Sequence, residues 1–234
     1  MDANDFRLDY FQIYRLDNPV YLTARRLAGR TAEIQGQFDE EPVKRTLEIY
    51  RQFADRVMKN EEKLYNPHAH LNCYALRASP IKPVRRTVWV ANQFGEEQVI
   101  QIREPIAVMV PARKRVKAAN EWTPRTELDH YLVYQVVRAK TVDAVVKLSD
   151  QFGVRKTRVY HPIAFAVPVS KRRPEHESKI INPEAHLTIY LIDKSEDMDV
   201  VLDTADQFYS YRLRKLGLGH LLAVPSKKLD WKLG

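Results

Sequence analysis

Histidine recurs at one fixed place in this sequence. His70, His130 and His186 each stand four residues before a tyrosine. On a strand, His68 and His70 would point to the same face, as a pair of metal ligands does. The counterpart of His68 later in the chain is Glu184, however, and no cluster of Cys or Asp completes a metal site. The sequence therefore predicts no metal and no other cofactor, and it predicts a structural role for the repeated histidines, such as hydrogen bonding to the preceding turn.

No known catalytic motif is present. With only seven glycines, the chain has neither the phosphate-binding P-loop pattern nor the dinucleotide fingerprint, and it also lacks the nucleophile elbow and the zinc-protease motif. The single cysteine, Cys73, follows His70 by three residues, which on a strand places the two side chains on opposite faces. We therefore expect a buried, inert thiol, and we predict no catalytic residue and no enzymatic activity.

Three short basic segments each follow a Val-Pro pair. Their residues are Arg113, Lys114, Arg115 and Lys117, then Lys171, Arg172 and Arg173, and finally Lys227 and Lys228. Equivalent places in a repeat tend to align in space, so these charges would form one rim that binds a phosphate backbone through counterion release. The competing interpretation is a set of solvated connectors that discourage edge-to-edge aggregation. We favour the connectors, because no aromatic residue lies within the segments to stack on bases.

The chain consists of four tandem units of about 57 residues. Gln-Phe marks every unit, at spacings of 56, 58 and 56 residues, and Val-Pro closes three of them, at spacings of 57 residues. A tyrosine with a histidine or tyrosine four residues before it also marks every unit. These landmarks are Gln37-Phe38, Gln93-Phe94, Gln151-Phe152 and Gln207-Phe208; Val110-Pro111, Val167-Pro168 and Val224-Pro225; and Tyr14, Tyr74, Tyr134 and Tyr190. A constant order of landmarks at a fixed period indicates a repeat.

The units are predicted to be β-structure. Segments 154–160 and 186–192 are short runs of β-branched and aromatic residues, and Gln-Phe-Gly and Asn-Pro turns separate such runs. The expected fold class is mainly β, with two antiparallel β-barrel or sandwich halves built from the four repeats. The close match of Asn66-Pro67 to Asn182-Pro183 places these β-rich halves at residues 1–117 and 127–234, with a linker at residues 118–126.

Unit one departs from this pattern. Its apolar residues recur with a period near 3.6 behind acidic residues and Pro42, which predicts an amphipathic helix over about residues 42–63. The favoured role of this helix is to close an open end of the sheets. The alternative is that it binds a partner subunit through Leu47, Tyr50, Ala54, Val57 and Met58. A second, shorter helix from Pro19 to Ala28 is an alternative to a strand there.

The combined motifs resemble an uncharacterised prokaryotic tandem-repeat family of unknown function. The resemblance covers residues 66–115 and 129–228, and it is carried by Asn-Pro-x-Ala-His-Leu, Gln-Phe-Gly and Val-Pro-x-x-Lys. The resemblance implies a β-repeat fold and implies no catalytic residues.

Composition limits the remaining possibilities. The 234 residues are 44% hydrophobic and 29% charged with a net charge of +8, which is typical of a globular protein and permits binding of a polyanion. No apolar run approaches the roughly 20 residues of a membrane helix, and the first residues lack a signal-peptide pattern. With one cysteine, the expected localisation is cytoplasmic.

We therefore expect a non-catalytic structural or assembly protein that binds protein subunits, including copies of itself. Nucleic-acid or polyanion binding is the alternative, and no membrane or small-molecule partner is expected.

Overall fold

All regular secondary structure that the structure describes is β-strand. The computed structural model describes residues 7–17, 30–77, 85–116, 121–173, 176–208 and 210–234. The strands are β1 (Tyr10–Asp17), β2 (Arg30–Gly36), β3 (Val43–Lys59), β4 (His70–Leu76), β5 (Arg86–Asn92), β6 (Gly95–Pro111), β7 (Arg113–Val116), β8 (His130–Arg138), β9 (Ala144–Asp150), β10 (Gly153–Arg173), β11 (His176–Ser178), β12 (His186–Ile192), β13 (Val200–Ala205) and β14 (Ser210–Leu233). Each unit thus contributes a short strand, a second short strand, and a long strand.

Eight of these strands form a closed ring. Going round it, β1, β3, β4, β6, β8, β10, β12 and β14 pair antiparallel with their neighbours, and β14 pairs back with β1. A closed ring of strands has no free edges, so every ring strand has hydrogen-bonding partners on both sides.

The interior of the ring is filled by one apolar cluster to which all eight ring strands contribute. The short strands supply mostly large side chains, while the long strands supply several alanines, an alternation of sizes that suits a small enclosed space. The strand members of this cluster are Phe11, Ile13, Ala54, Leu71, Cys73, Met109, Tyr131, Val133, Ala164, Ala166, Leu187, Ile189, Leu221 and Ala223.

Four further strands cover the outer face of the ring. Each forms a hairpin with the long strand that follows it: β2 with β3, β5 with β6, β9 with β10, and β13 with β14. Each also reaches the unit two places away, so that β2 pairs with the end of β10, β9 with β3, β5 with β14, and β13 with β7. Two more apolar clusters lie between these outer strands and the ring. The fold therefore depends on contacts between units distant in sequence.

The predicted helix over residues 42–63 is wrong, because these residues form β3 and the turn after it. The pairing of β3 with β4 shifts register between Leu47 and Tyr50, and again between Tyr50 and Gln52. Such irregularities interrupt the two-residue alternation of a strand. Ala54 adds to the effect because it fills the ring interior while Phe53 and Asp55 are buried on the opposite face. Apolar residues on both faces of an irregular strand produced the apparent helical period.

The mainly β prediction is confirmed, but the sheet is not divided into two halves, since strands from residues 1–117 and 127–234 pair throughout. The domain boundaries themselves remain a prediction. The possible helix from Pro19 to Ala28 lies outside the described residues, as does part of the predicted linker.

The two Asn-Pro segments have matching positions. Both carboxylate oxygens of Asp9 accept hydrogen bonds from the backbone N–H groups of Tyr65 and Asn66, at 2.6 and 2.7 Å. Asp129 accepts equivalent bonds at 2.6 and 2.8 Å from residues 181 and 182. Units one and two are thus joined in the same way as units three and four, which explains the closer sequence match between alternate units.

Candidate functional site

The repeated landmarks meet in four equivalent clusters around the ring. Each cluster combines the histidine or tyrosine that opens a ring strand, a lysine near the end of the long strand of the same unit, and the Gln-Phe turn of the next unit. We name each cluster by its lysine. They contain Tyr10, Lys59, Gln93 and Phe94; His70, Lys114, Gln151 and Phe152; His130, Lys171, Gln207 and Phe208; and His186, Lys228, Gln37 and Phe38.

Within these clusters the glutamine of the turn contacts the ring strand. The glutamine amide nitrogen lies 2.5 Å from His130 Nε2 in the Lys171 cluster and 2.6 Å from His186 Nε2 in the Lys228 cluster. In the Lys59 cluster, Tyr10 donates to the glutamine oxygen at 3.4 Å. His130 and His186 therefore join one unit to the next. His186 also contacts the preceding turn, through Nδ1 and the Glu184 carbonyl oxygen at 2.9 Å.

The Gln-Phe turns are also fastened to the unit two places away. In three turns an Asp or Asn before the glutamine accepts a hydrogen bond from the phenylalanine N–H, at 2.6 to 2.9 Å. The same side chain bonds to a landmark tyrosine, in the pairs Tyr14–Asp150, Tyr74–Asp206 and Tyr190–Asn92. Three of the turn phenylalanines pack edge-on against these tyrosines, and the fourth, Phe38, packs edge-on against Tyr134, with ring centroids 5.1 to 5.6 Å apart.

The fourth turn lacks this hydrogen bond. Gly36 stands where the other turns have Asp or Asn, and the hydroxyl of the corresponding tyrosine, Tyr134, has no hydrogen-bond partner among the described residues. Burial raises the pKa of Tyr134 well above its ordinary value.

The Lys114 cluster contains a fully buried carboxylate, that of Asp55, which forms an ion pair with the cluster lysine. Lys114 Nζ lies 2.6 Å from both carboxylate oxygens of Asp55, and Gln151 donates to the same carboxylate at 3.3 Å. His70 Nδ1 lies 2.8 Å from Asp55 Oδ1, without the alignment of a hydrogen bond. Arg56 adds a contact at 3.1 Å. Asp55 and His70 are 0% exposed.

Burial and charge pairing shift the pKa values in opposite directions here. Burial alone would raise the pKa of Asp55, but the charge of Lys114 foremost, together with the interaction with His70, outweighs it, so that the pKa falls well below the ordinary range. Burial lowers the pKa of His70 to about 4, against the opposing effect of Asp55. Burial also lowers the pKa of Lys114 to about 8, again opposed by Asp55. At neutral pH the cluster is therefore an Asp–Lys ion pair beside a neutral imidazole.

Asp55 is a cluster residue that the motif analysis missed. Aligning the four cluster lysines places Asp55-Arg56 where the other units have Val-Pro, as at Val110-Pro111. The three equivalent valines are as fully buried as Asp55, at 0% exposure. The lysine alignment, which was available in the sequence, is the signal that would have identified it.

The predicted basic segments are divided between the interior and the surface. Lys114 and Lys171 are buried, at 2% and 1% exposure, and their ammonium groups lie 5.2 and 4.9 Å from the ring centroids of turn phenylalanines. Arg172 and Lys227 are exposed, and Lys228 is partly buried, with Nζ 5.7 Å from the Phe38 ring centroid. The three segments pair with three different outer strands. Lys117 and the side chain of Arg173 lie outside the described residues.

Arg113 and Arg115 share an aromatic neighbour that the sequence did not predict. Their guanidinium carbons lie 5.5 and 5.1 Å from the ring centroid of Trp122. Arg115 also pairs with Asp203, with a nitrogen–oxygen distance of 2.6 Å.

The residues predicted for the partner-binding helix are mostly buried in the sheet. Leu47, Ala54 and Val57 are at most 1% exposed, and Met58 is partly exposed. The side chain of Tyr50 is outside the described set. Leu47, Ala54 and Val57 therefore serve the core of the protein, on a strand and not on a helix.

Other potential chemistry is limited. Cys73 is buried, and burial raises the pKa of its thiol to about 12, so little of it is in the reactive thiolate form at neutral pH. Across the described residues, no group of three or more His, Cys, Asp or Glu side chains is arranged to hold a metal ion. Nor does any described segment form a helix with the length and hydropathy needed to cross a membrane.

The closed ring and its four equivalent clusters define an all-β protein of four tandem repeats, each unit joined to the next and to the one after it. The sequence matches the model of a family described as "Repeat of unknown function (DUF7450)" over residues 70–224, which is more than half of the chain. The chain belongs to this family. No curated protein and no solved structure matches it.

Proposed function

We propose that this protein is a non-catalytic structural or assembly protein that binds other protein subunits through the outer surface of its β-repeats. The burial of the repeated histidines supports this proposal. His130 and His186 contact glutamines of the next unit, and Gln151 of unit three bonds to the buried Asp55 of unit one, so these residues act in holding the ring together. Binding then falls to the outer hairpins, and neither a cofactor nor a small-molecule substrate is part of the proposal.

The observation that carries the proposal is an apolar pair on the β9–β10 hairpin. Val145 and Val154 are each 63% exposed, and the hairpin register places both on its outward face, with Lys147 and Lys156 between them. The two valines and the two lysines together give this outer face a mixed apolar and basic character. The two lysines favour a partner surface that combines apolar and acidic residues.

Purification from native cells tests this proposal. We expect a protein companion to co-elute with the chain and to be lost when Val145 and Val154 are both changed to serine. Val99→Ser is the matched control, because Val99 is 49% exposed on a different hairpin. A homogeneous monomer with no companion in native pull-downs would refute the proposal.

The second candidate function is polyanion binding, and the contact of Arg113 and Arg115 with Trp122 favours it. This arrangement supplies the aromatic group that the basic segments themselves lack, since indole rings stack on bases and guanidinium groups contact phosphates. The pairing of Arg115 with Asp203 offsets part of the charge.

Charge reversal at positions that are not buried tests the polyanion candidate. Arg113→Glu and Arg172→Glu are suitable, whereas changes at the buried Lys114 or Lys171 would act on folding. We expect binding of a 20-nucleotide oligonucleotide to weaken and its dependence on salt to flatten. Unchanged affinity and salt dependence in the double variant would exclude this candidate.

A further inference from the structure

The fourth Gln-Phe turn, residues 36–39, differs chemically from its equivalents, and we call it the Gly36 turn. In two of the other turns a landmark tyrosine donates a hydrogen bond to an aspartate, in the pairs Tyr14–Asp150 and Tyr74–Asp206. Gly36 has no side chain that could accept such a bond. The corresponding tyrosine, Tyr134, is 2% exposed, and its hydroxyl has no hydrogen-bond partner among the described residues. Because a buried hydroxyl without a partner costs free energy, an acceptor brought to this place would stabilise the folded protein.

Two arginines bring further unpaired donors to the same turn. Arg86 donates from a terminal guanidinium nitrogen to the Phe38 carbonyl oxygen at 3.3 Å, and its guanidinium carbon lies 5.2 Å from the Phe38 ring centroid. The centroid of that ring is 5.3 Å from the ring centroid of Tyr134. Arg45 contacts the carboxylate of Asp39 at 3.5 Å. The Nε atom of each arginine is buried and has no hydrogen-bond partner in the part of the chain that the structure describes.

The charged groups of the Gly36 turn have a positive sum. Arg45 and Arg86 stand against one carboxylate, that of Asp39, and both oxygens of this carboxylate are engaged. One accepts a hydrogen bond from the Gly36 N–H at 3.1 Å, and the other contacts Arg45. Besides burial, the charges of Asp39, Arg45 and Arg86 all act on the pKa of Tyr134, as charges close to its hydroxyl do. Partly buried cations with unpaired donors favour a bound anion.

We propose that the Gly36 turn binds a small carboxylate anion, of the size of formate or acetate, through the Tyr134 hydroxyl and the Nε groups of Arg45 and Arg86. The anion would fill the role that an aspartate has in the two equivalent turns. A carboxylate has about four acceptor sites, enough for the three unpaired donors. This site is separate from the β9–β10 hairpin surface, so it adds a binding function that does not depend on the protein-binding function proposed above.

The enclosure of the turn limits the size of the ligand. The side chains of Arg45 and Asp39 are each 12% exposed, so access from solvent is narrow. A Cβ atom at residue 36 would lie 3.1 Å from Val169 Cγ1, which shows that the turn itself leaves little room on that side. These two observations favour a free small anion over a carboxylate carried by a folded partner.

Titration of the full chain with sodium formate tests the proposal. Urea unfolding is measured while formate replaces sodium HEPES at constant ionic strength, because an anion that binds only the folded protein raises the urea midpoint. For an anion of this size we expect a saturable rise with a dissociation constant of about 1 mM or weaker. A crystal structure in formate is the second measurement, and it should show formate within about 3.2 Å of the Tyr134 hydroxyl.

Variants of the turn separate this site from a general effect of salt. Tyr134→Phe and Arg86→Gln should each weaken formate binding about tenfold or more, because each removes a hydrogen bond to a charged group. Asp39→Asn keeps an oxygen for the Gly36 N–H and removes a like charge, so it should tighten binding about twofold or more. The matched control is Tyr74→Phe, in a turn that has its own aspartate, and it should bind formate as the parent protein does.

Four results would overturn the assignment. A midpoint that rises without saturation, or equally in the parent and in Tyr134→Phe, would mean that the hydroxyl needs only water. Formate seen in the crystal elsewhere but not at Tyr134 would exclude this place. Tighter binding of inorganic phosphate than of formate would contradict a carboxylate site. An equal response to an acidic peptide at the same concentration of carboxylate groups would contradict a site restricted to free small anions.

Discussion

The buried ion pair between Asp55 and Lys114 gives the most specific test of the structure, through the single change Asp55→Val. Valine occupies the equivalent position in the other three units, for example as Val110, so the new side chain suits this place in the repeat. The change leaves the ammonium group of Lys114, a residue that is 2% exposed, without its carboxylate partner. Any large effect therefore reports the lost charge pairing.

The expected loss follows from the burial of both groups. Removing one partner of a buried ion pair typically costs about 3–5 kcal/mol of unfolding free energy, because the remaining charge is left uncompensated. The pKa of Lys114, already lowered by burial to about 8, should fall further without Asp55. At neutral pH the variant would then hold a largely neutral lysine.

This lysine gives the destabilisation a characteristic dependence on pH. The unfolded chain binds the lysine proton up to about pH 10.4, whereas the folded protein releases it at lower pH, so raising the pH favours the folded state. In the variant this gain in stability begins below pH 8, which is a lower pH than in the parent protein. The difference in stability between the two should therefore narrow as the pH is raised from 7 to 9.

Urea unfolding followed by tryptophan fluorescence measures this effect at pH 7 and pH 9. The double variant Asp55→Val with Lys114→Met is the matched control, because replacing both members of a buried pair by apolar residues is often neutral. We expect it to recover most of the stability lost in the single variant. A single variant within about 1 kcal/mol of the parent at pH 7, where exposed ion pairs lie, would refute a desolvated ion pair at this site.

Three further variants test other parts of the fold. Burial lowers the pKa of His186 to about 4, below its value in the unfolded chain. The contribution of His186 to stability is therefore present above about pH 6.5 and is lost as the pH falls towards 4. We expect His186→Phe to flatten the stability profile between pH 6.5 and pH 4, measured by urea unfolding. Tyr74→Phe should lower the free energy of unfolding by about 1.5–3 kcal/mol in thermal or urea unfolding, because the hydroxyl donates to the Asp206 carboxylate at 2.5 Å. The equivalent change Tyr134→Phe removes a hydroxyl that has no partner in the described structure. An equal loss in both variants would contradict this prediction. Gly153→Ala should cost about 1–3 kcal/mol in the same assay, because a φ of 152° is strained for a residue with a Cβ, and an unchanged midpoint would argue against that turn geometry.

The local pattern of the sequence was sufficient to predict the repeat and the mainly β class. Four Gln-Phe turns at nearly constant spacing mark equivalent hairpins, and alternating apolar residues mark most strands, because both signals depend on neighbouring residues alone. The equivalence of His70, His130 and His186 was also evident from spacing. In β3 the same reasoning failed, since register shifts and burial on both faces gave a strand the period of a helix.

The tertiary structure decided how the units are joined. Pairing of β2 with β10 and of β5 with β14 connects units that are distant in sequence, and local patterns contain no information about which strand occupies an outer edge. The same pairing decided that Lys114 is an interior residue bound to Asp55, whereas its position in a basic segment indicated a surface charge. Sequence spacing thus determined which residues are equivalent, while closure of the ring determined which of them are buried, because burial depends on contacts made only when all four units assemble.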